Sequence, residues 1–162
     1  MNTDQTNQTK TSSGSDSRND QNGKIAVVLV RGMVKSLREV KATLEMLNLD
    51  HKNHCVILEN NPVNLGMIKR VKDYVTWGVI DPETFNRLLS QRGKEFQSRL
   101  TDSKGKYSYK VLEVSGKKYK PYFSLNPPRK GFGRKGIKVA FKAGGGLGDR
   151  GEKINDLIQR ML

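Results

Sequence analysis

The stretch that decides the fold is IAVVLV, residues 25–30, a continuous apolar run rich in β-branched side chains. Such a run predicts a strand in the middle of a sheet, because both of its faces must be buried. The next segment has apolar side chains at helical spacing and predicts a helix that begins at Ser36. Glu39, three residues later, completes the sequence pattern of a capping box. HCVILE, residues 54–59, predicts a second strand.

Two more helices and a third strand are predicted next along the chain. Pro62 opens a second helix, and the alternating apolar side chains of residues 75–79 predict the third strand. Asp81 followed by Pro82 is typical of a helix start, and Gly93 is a typical stop. The order β-α-β-α-β plus a helix predicts an α+β fold, in which helices cover a small sheet.

The second half of the chain has a different pattern. Residues 107–114 and 119–125 predict two strands around a turn at residues 115–116. Residues 137–141 alternate between apolar and other side chains, which predicts a further strand with one face free to meet phosphates. Residues 154–161 have an amphipathic stripe and predict a closing helix that docks on the domain, with a partner-binding helix as the alternative.

Three segments follow from these patterns. Residues 1–24 are polar and have too few apolar side chains to offset the entropy of ordering, so they predict a disordered tail. Residues 25–80 form the predicted β-α-β-α-β core. Residues 81–162 supply a helix, a basic extension and a C-terminal helix that pack on this core.

The charge of the chain is concentrated in one segment. The 162 residues include 30 Lys and Arg against 16 Asp and Glu, a formal net charge of +14. Residues 103–150 hold thirteen of these cations and two of the acids, a local net charge of +11. A charge run is often only a solvated face, but glycines and aromatic residues interleave with this one. The pattern favours a surface for a polyphosphate such as RNA, with a general DNA-binding or chaperone protein as the alternative.

The glycine motif GFGRKG, residues 131–136, matches a dinucleotide fingerprint in spacing. That fingerprint requires a strand before it and a helix after it. Here Pro127 and Pro128 precede the motif and an alternating pattern follows it. We therefore interpret its glycines as allowing the backbone to approach phosphates. Phe132 is either a base-stacking ring or a packed anchor of the loop, and residues 144–148 form either a second phosphate contact or a tight turn.

No pattern in the chain indicates catalysis. His51, His54 and Cys55 are the only residues of their types, so a closed zinc site would need carboxylates from elsewhere. Cys55 is interpreted as a small apolar residue in a strand. No pair of carboxylates is placed for acid–base work. We therefore predict a protein that is not an enzyme and has no cofactor, no metal and no small-molecule substrate.

The compartment follows from cysteine usage and hydropathy. A single cysteine excludes an internal disulfide and favours an intracellular protein. No run approaches the 18 apolar residues of a membrane span, and the N-terminus has no apolar signal core. The expectation is a cytoplasmic protein with no membrane partner.

Several stretches together resemble one protein family. They are IAVVLVRG, TLEMLNLDHKNHCVIL, NLGMIKRVKDYVTWG, LNPPRKGFGRKGIKVAF, GGGLGDRG and INDLIQRML. Taken in this order, they are similar to the archaeal form of large-subunit ribosomal protein thirty, a family related to eukaryotic large-subunit ribosomal protein seven. The resemblance covers about residues 25–162. Residues 1–24 match nothing in the family, and their neutral charge departs from the basic N-terminal extensions of the eukaryotic relatives.

The resemblance implies a ferredoxin-like β-α-β-α-β core with a small antiparallel sheet. It also implies a place in the cytoplasmic large ribosomal subunit, contact with large-subunit rRNA and with neighbouring ribosomal proteins, and a position near the 5S rRNA. The RNA contacts implied by the matching stretches are Arg31, Gly66, Lys69, Arg70, Arg129, Lys130, Gly131, Phe132, Gly133, Arg134, Lys135 and Lys138. The rest of the cationic segment adds Lys117, Lys118, Lys120, Lys142 and Arg150 as predicted contacts.

Overall fold

The computed structural model describes residues 23–162, so most of the predicted tail lies outside the described part of the chain. The strands are β1 (Lys24–Leu29), β2 (His54–Glu59), β3 (Val75–Val79), β4 (Leu112–Val114), β5 (Lys117–Tyr119), β6 (Phe123–Ser124) and β7 (Gly148–Asp149). The α-helices are α1 (Arg38–Met46), α2 (Pro62–Arg70), α3 (Pro82–Arg92) and α4 (Ile154–Met161). Single 3-10 turns occupy Phe141–Ala143 and Gly151–Lys153.

The main sheet has five strands in the order β6-β2-β1-β3-β7. β1 is antiparallel to both of its neighbours, β6 is antiparallel to β2, and β7 is parallel to β3. The three long strands with α1 and α2 form the ferredoxin-like core, which confirms the predicted fold class. β4 and β5 pair with each other in a separate small hairpin.

The central position of β1 explains its composition. Residues 26–30 are completely buried. Ala26 and Val28 pack into one hydrophobic cluster with side chains of α3 and α4. Val27 and Leu29 pack into a second cluster with side chains of α1 and α2. Because successive side chains of a strand point to opposite faces, a sheet covered on both sides needs an apolar residue at every position of its middle strand.

The helices begin and end close to the predicted residues, but the start of α1 is not capped as the sequence predicts. Pro82 and Gly93 bound α3 as predicted. The predicted capping box is wrong, because α1 begins after Leu37 and has no side-chain cap. The Ser36 hydroxyl donates instead to the Met33 carbonyl at 2.7 Å. The Glu39 carboxylate accepts from Arg70 and so joins α1 to α2.

The closing helix packs as predicted. Its apolar stripe is completely buried, and the members of the stripe are Ile154, Leu157, Ile158 and Met161. The Asn155 amide oxygen at the start of α4 accepts from the backbone N–H of Asp81 at 3.0 Å. The helix is therefore part of the core, and its interpretation as a partner-binding helix is wrong.

The strands of the second half are shorter than the sequence predicts, and they lie at partly different residues. The turn at Ser115–Gly116 is confirmed, but the strand after it ends at Tyr119. Phe123 and Ser124 belong to a different sheet, because they pair with β2. The strand predicted for residues 137–141 is wrong, since these residues form turns and the start of a 3-10 turn.

Gly78 marks the closest approach between the sheet and the segment that leads into α4. A Cβ atom at this position would lie 2.0 Å from the carbonyl oxygen of Gly151 and 2.9 Å from the Cβ of Ile154. Forcing atoms into a packed region costs about 1–3 kcal/mol or more. We expect Gly78→Ala to lower the free energy of unfolding in urea by at least that amount. Gly32→Ala is the control, since its added methyl meets open space, and equal stability of the two variants would contradict this packing.

Candidate nucleic-acid interface

One end of the central sheet collects several of the predicted contact residues. β1 ends there, and β2 and β3 begin there, as their antiparallel register requires. Arg31 follows β1, and its guanidinium lies 5.2 Å from the centre of the Tyr74 ring and donates to the Asp73 carbonyl at 3.2 Å. α2 also ends on this side, because it returns the chain to the start of β3, and its last two residues are Lys69 and Arg70.

The basic loop, residues 129–150, leaves the sheet and returns to it at this same end. The chain approaches the loop through β6, which runs antiparallel to β2. Directly after β6, the N–H of Leu125 donates to the carbonyl of Asn53 at 3.2 Å, and Asn53 is the residue before β2. β7 is parallel to β3 and therefore begins where β3 begins. We call this side of the molecule the cationic edge: Arg31, Lys69, Arg70 and the exposed cations of the basic loop.

The start of the basic loop is attached to α4. The Arg129 N–H donates to the Arg160 carbonyl at 3.0 Å. The Arg160 guanidinium donates back to the carbonyls of Arg129 at 3.1 Å and Gly131 at 3.0 Å. Asp156 accepts from Nε of the same guanidinium at 3.0 Å, which holds the fork in place. The first residues of the loop are thus fixed by backbone contacts.

Arg150 supports the loop from inside. Its side chain is buried, with a residue exposure of 6%. The guanidinium donates to the Thr76 hydroxyl at 2.9 Å and to the carbonyls of Phe132 at 2.6 Å and Gly146 at 3.1 Å. It also lies 4.4 Å from the centre of the Phe141 ring. One side chain therefore joins the sheet to two distant parts of the loop.

The charge of Arg150 persists at neutral pH in this setting. Burial lowers the pKa of Arg150 to about 10, and the positive charge of Arg160 adds to the lowering. The carboxylate of Asp156 acts in the opposite direction. Because this pKa still lies well above 7, the guanidinium stays protonated and keeps all of its donors.

Burial argues against direct RNA contact by two of the predicted residues. Phe132 has an exposure of 8% and packs in the core cluster, so its ring is an anchor of the loop and is not available to stack on a base. Arg150 is buried, and its guanidinium donates three hydrogen bonds to protein acceptors, one in β3 and two in the loop. Both side chains stabilise the fold of the loop, and neither contributes much to its exposed surface.

The glycines of the loop divide into two groups. A Cβ at Gly133 would lie 2.3 Å from the Gly145 carbonyl oxygen, and one at Gly145 would lie 2.1 Å from the Val139 carbonyl oxygen. These two glycines let segments of the loop touch each other, so the interpretation of residues 144–148 as a tight turn agrees with the structure. Gly131 differs, since its φ is +77° and the space around it is open. Only a glycine of this second kind leaves room for a phosphate.

The remaining cations of the loop are exposed to solvent. They are Arg129, Lys130, Arg134, Lys135, Lys138 and Lys142. A cleft of about 580 Å³ separates the loop from α4, and Lys130 and Arg134 line it together with Lys153 and Arg160. Asp156 is the one carboxylate among its lining residues. Sequence reasoning missed Lys153 as a cation of this cleft and Arg160 as a support of the loop, because the pattern of the closing helix points only to its apolar stripe.

Three more predicted contacts lie at the β4–β5 hairpin, with Lys117 and Lys118 in β5 and Lys120 directly after it. The Lys117 ammonium is 3.7 Å from a Glu95 carboxylate oxygen, and the Lys118 ammonium is 3.5 Å from one of Glu113. Lys120 donates its backbone N–H to the Lys94 carbonyl at 2.9 Å. Two of these three cations are partly balanced, so the hairpin carries less unpaired charge than the loop.

Residues 23–162 contain neither a dinucleotide fingerprint nor a group of side chains that could hold a metal ion. GFGRKG has no strand directly before it and no helix after it, so it is not a dinucleotide fingerprint. No group of three His, Cys, Asp or Glu side chains in this range could hold a metal ion. Burial raises the pKa of the Cys55 thiol to about 12, and burial with the charge of His51 lowers the pKa of His54. Within the same range, no helix has the length and apolarity needed to cross a membrane.

Comparison with known proteins finds similarity to one family of ribosomal proteins. The model of the family ribosomal protein L30p/L7e matches residues 25–75. Large ribosomal subunit protein uL30 of Methanopyrus kandleri is 40% identical over 149 residues, which cover 82% of this chain and 100% of that protein. The protein of the same name from Nanoarchaeum equitans is 41% identical over 151 residues, covering 85% of this chain and 97% of that one. The one from Methanococcus vannielii is 42% identical over 151 residues, covering 85% and 98%.

The fold and these similarities define a non-enzymatic ribosomal protein with an α+β body. The chain belongs to the ribosomal protein L30p/L7e family. The match confirms the resemblance that the quoted stretches of sequence carry, and the archaeal relatives cover more of this chain than the family model does.

Proposed function

We propose that this protein is a structural constituent of the cytoplasmic large ribosomal subunit, binds large-subunit rRNA through the cationic edge, and supports assembly of the subunit. The archaeal relatives carry the name large ribosomal subunit protein uL30. The observation that carries the proposal is the attachment of the basic loop at both of its ends, to α4 and to β3. A loop held in this way loses little conformational entropy when it meets RNA.

The chemistry of the edge fits the backbone of folded RNA. Exposed lysines and arginines attract phosphates and release their counterions, which supplies affinity without reading a sequence. Specificity then comes from the shape of the RNA, because the deep, narrow major groove of an A-form helix excludes side chains. A rigid cationic surface on a small apolar body is suited to recognising such a shape.

Retention on ribosomes tests this function. The protein should co-sediment with large subunits and remain bound through a moderate-salt wash. In solution, fragments of large-subunit rRNA should compete for it better than random duplex DNA does at physiological salt. Equal competition by the DNA would contradict the proposal and support a general nucleic-acid-binding or chaperone role outside the ribosome.

A position near the 5S rRNA, beside neighbouring ribosomal proteins, is the finer part of the proposal and rests on the family resemblance alone. Chemical footprinting of large subunits with and without this protein tests it. Protection of 5S rRNA nucleotides that depends on the protein is the expected result. Protection confined to the large rRNA would remove the 5S contact and leave the main proposal intact.

Gly66 gives a prediction with two readouts. It lies inside α2, and an added Cβ would meet no atom within 4 Å. Glycine in a helix costs about 0.5–1 kcal/mol relative to alanine, so Gly66→Ala should raise the free energy of unfolding by that amount. If RNA backbone approaches α2 here, the same methyl should weaken rRNA binding roughly tenfold, a clash of about 1.4 kcal/mol.

The control for Gly66→Ala is Asn86→Ala on the exposed side of α3, which also improves helix propensity. Urea unfolding and filter binding to rRNA measure the two effects. A Gly66→Ala protein that is more stable and binds rRNA as tightly as the parent would exclude close contact at α2.

A further inference from the structure

The segment between α3 and β4 forms a small hairpin that the proposed rRNA contacts do not include. Thr101 and Ser108 pair as an antiparallel bridge. Hydrogen bonds from Tyr109 N–H to the Leu100 carbonyl at 2.9 Å and from Asp102 N–H to the Tyr107 carbonyl at 3.0 Å flank this bridge. We call residues 98–110 the tyrosine arm.

The tyrosine arm exposes two large aromatic rings. Tyr107 is 66% exposed and Tyr109 is 60% exposed. At this exposure, most of the surface of each tyrosine contacts water and is free to contact a partner. Since they are two residues apart on an extended backbone, their side chains project from the same face. The separation along the strand is about 6.7 Å, roughly twice the 3.4 Å spacing of stacked bases.

A groove beside the arm adds a third ring. The Phe96 ring centre lies 6.4 Å from that of Tyr109. Both residues line a groove of about 690 Å³ along the arm. A volume of this size lies in the range of sites that hold small organic molecules. A flat base that leaves its strand can therefore enter beside Tyr109.

The charge of the arm selects the kind of partner. Arg99, Lys104, Lys106 and Lys110 lie in it, against Asp102 as its one acid. The Asp102 carboxylate accepts from the backbone N–H of Ser103 at 2.8 Å and is committed to its own turn. Exposed aromatic rings beside a surplus of three positive charges fit a partner that offers flat apolar faces joined by anions. Unpaired nucleotides of RNA have this chemistry.

We propose that the tyrosine arm stacks unpaired RNA bases on Tyr107 and Tyr109 while its lysines contact the adjoining phosphates. The inference rests on the proposed rRNA-binding function and adds a second kind of contact to it. The cationic edge meets phosphates through a fixed loop, whereas the arm holds bases that are free of pairing. Stacking on aromatic rings tolerates any base, so the arm requires single-stranded structure and no particular sequence.

Fluorescence of a stacked base tests this inference in the full chain. The probes are a mixed-sequence single-stranded RNA containing one 2-aminopurine and the same strand in a duplex. Tyr107→Ala with Tyr109→Ala should weaken binding of the single strand about 10- to 100-fold and remove the quenching of 2-aminopurine. Affinity for the duplex should stay the same, since paired bases are not available. The control variant, Tyr107→Phe with Tyr109→Phe, keeps both aromatic rings and should bind the single strand as the parent does.

The dependence on salt separates stacking from charge. The variant with Tyr107→Ala and Tyr109→Ala removes no cation, so the slope of log affinity against log salt should not change. If this double variant binds the single strand and quenches 2-aminopurine as the parent does, the inference is overturned. The proposal of rRNA binding through the basic loop would remain. Normal RNA binding combined with loss of the variant from large subunits would also overturn the inference, by assigning the rings to a neighbouring protein. Failure of the parent chain to bind rRNA would remove both proposals.

Discussion

A variant in which Arg129, Lys130, Arg134 and Lys135 are all replaced by serine should lose most of its affinity for large-subunit rRNA. These cations are exposed on a loop that is attached at both ends, so each is held where a phosphate can be met. Each neutralised phosphate contributes about 0.7–0.9 to the slope of log affinity against log salt. Losing four contacts should lower this slope by roughly 3, and affinity near physiological salt should fall by about 100-fold or more.

A charge-matched control separates the loop from net charge. Lys24, Arg38, Lys41 and Arg87 are exposed and belong neither to the basic loop nor to the segments that lead into β2 and β3. Replacing these four with serine changes the net charge by the same amount. The control should lose much less affinity, because screening leaves only cations close to the phosphates effective. Equal losses in both variants, measured by filter binding over a range of salt, would mean that only overall charge matters.

The second large effect is expected from Arg150, and it acts on stability. Arg150→Met leaves buried acceptors at Thr76, Phe132 and Gly146 without their donor. An unmet buried acceptor costs about 1–3 kcal/mol, so the free energy of unfolding should fall by about 2–4 kcal/mol once the relief of burying a charge is included. Arg150→Lys should recover little of this, because one ammonium cannot reproduce a planar fork of donors.

Lys142→Met is the matched comparison for Arg150→Met. Lys142 is an exposed cation of the same loop, so its replacement should change stability by less than about 0.5 kcal/mol and lower the salt slope of rRNA binding by about 0.7–0.9. Arg150→Met should show the opposite pattern, with lower stability and an unchanged slope. A lower slope with full stability in Arg150→Met would mean that the guanidinium contacts RNA directly.

Local patterns in the sequence determined the core of this protein. The apolar run at residues 25–30 specifies a middle strand because a strand covered on both faces has no polar position. Residues 82–92 carry their own start and stop signals, so these signals alone predict both ends of α3. The concentration of charge in residues 103–150 is likewise a property of the sequence, and it indicates a polyanion partner however the segment folds.

The tertiary structure alone decided how the basic loop is folded. Residues 137–141 alternate as a strand would, yet contacts with Gly145 and Gly146 bend them into turns. The roles of Phe132 and Arg150 could not be predicted from local sequence, since the partner of Arg150 in the sheet, Thr76, is 74 residues away. The spacing of apolar residues and the composition predict where local elements form and where charge is concentrated. Which side chains are buried depends on long-range packing, and that packing is set only when the whole chain has folded.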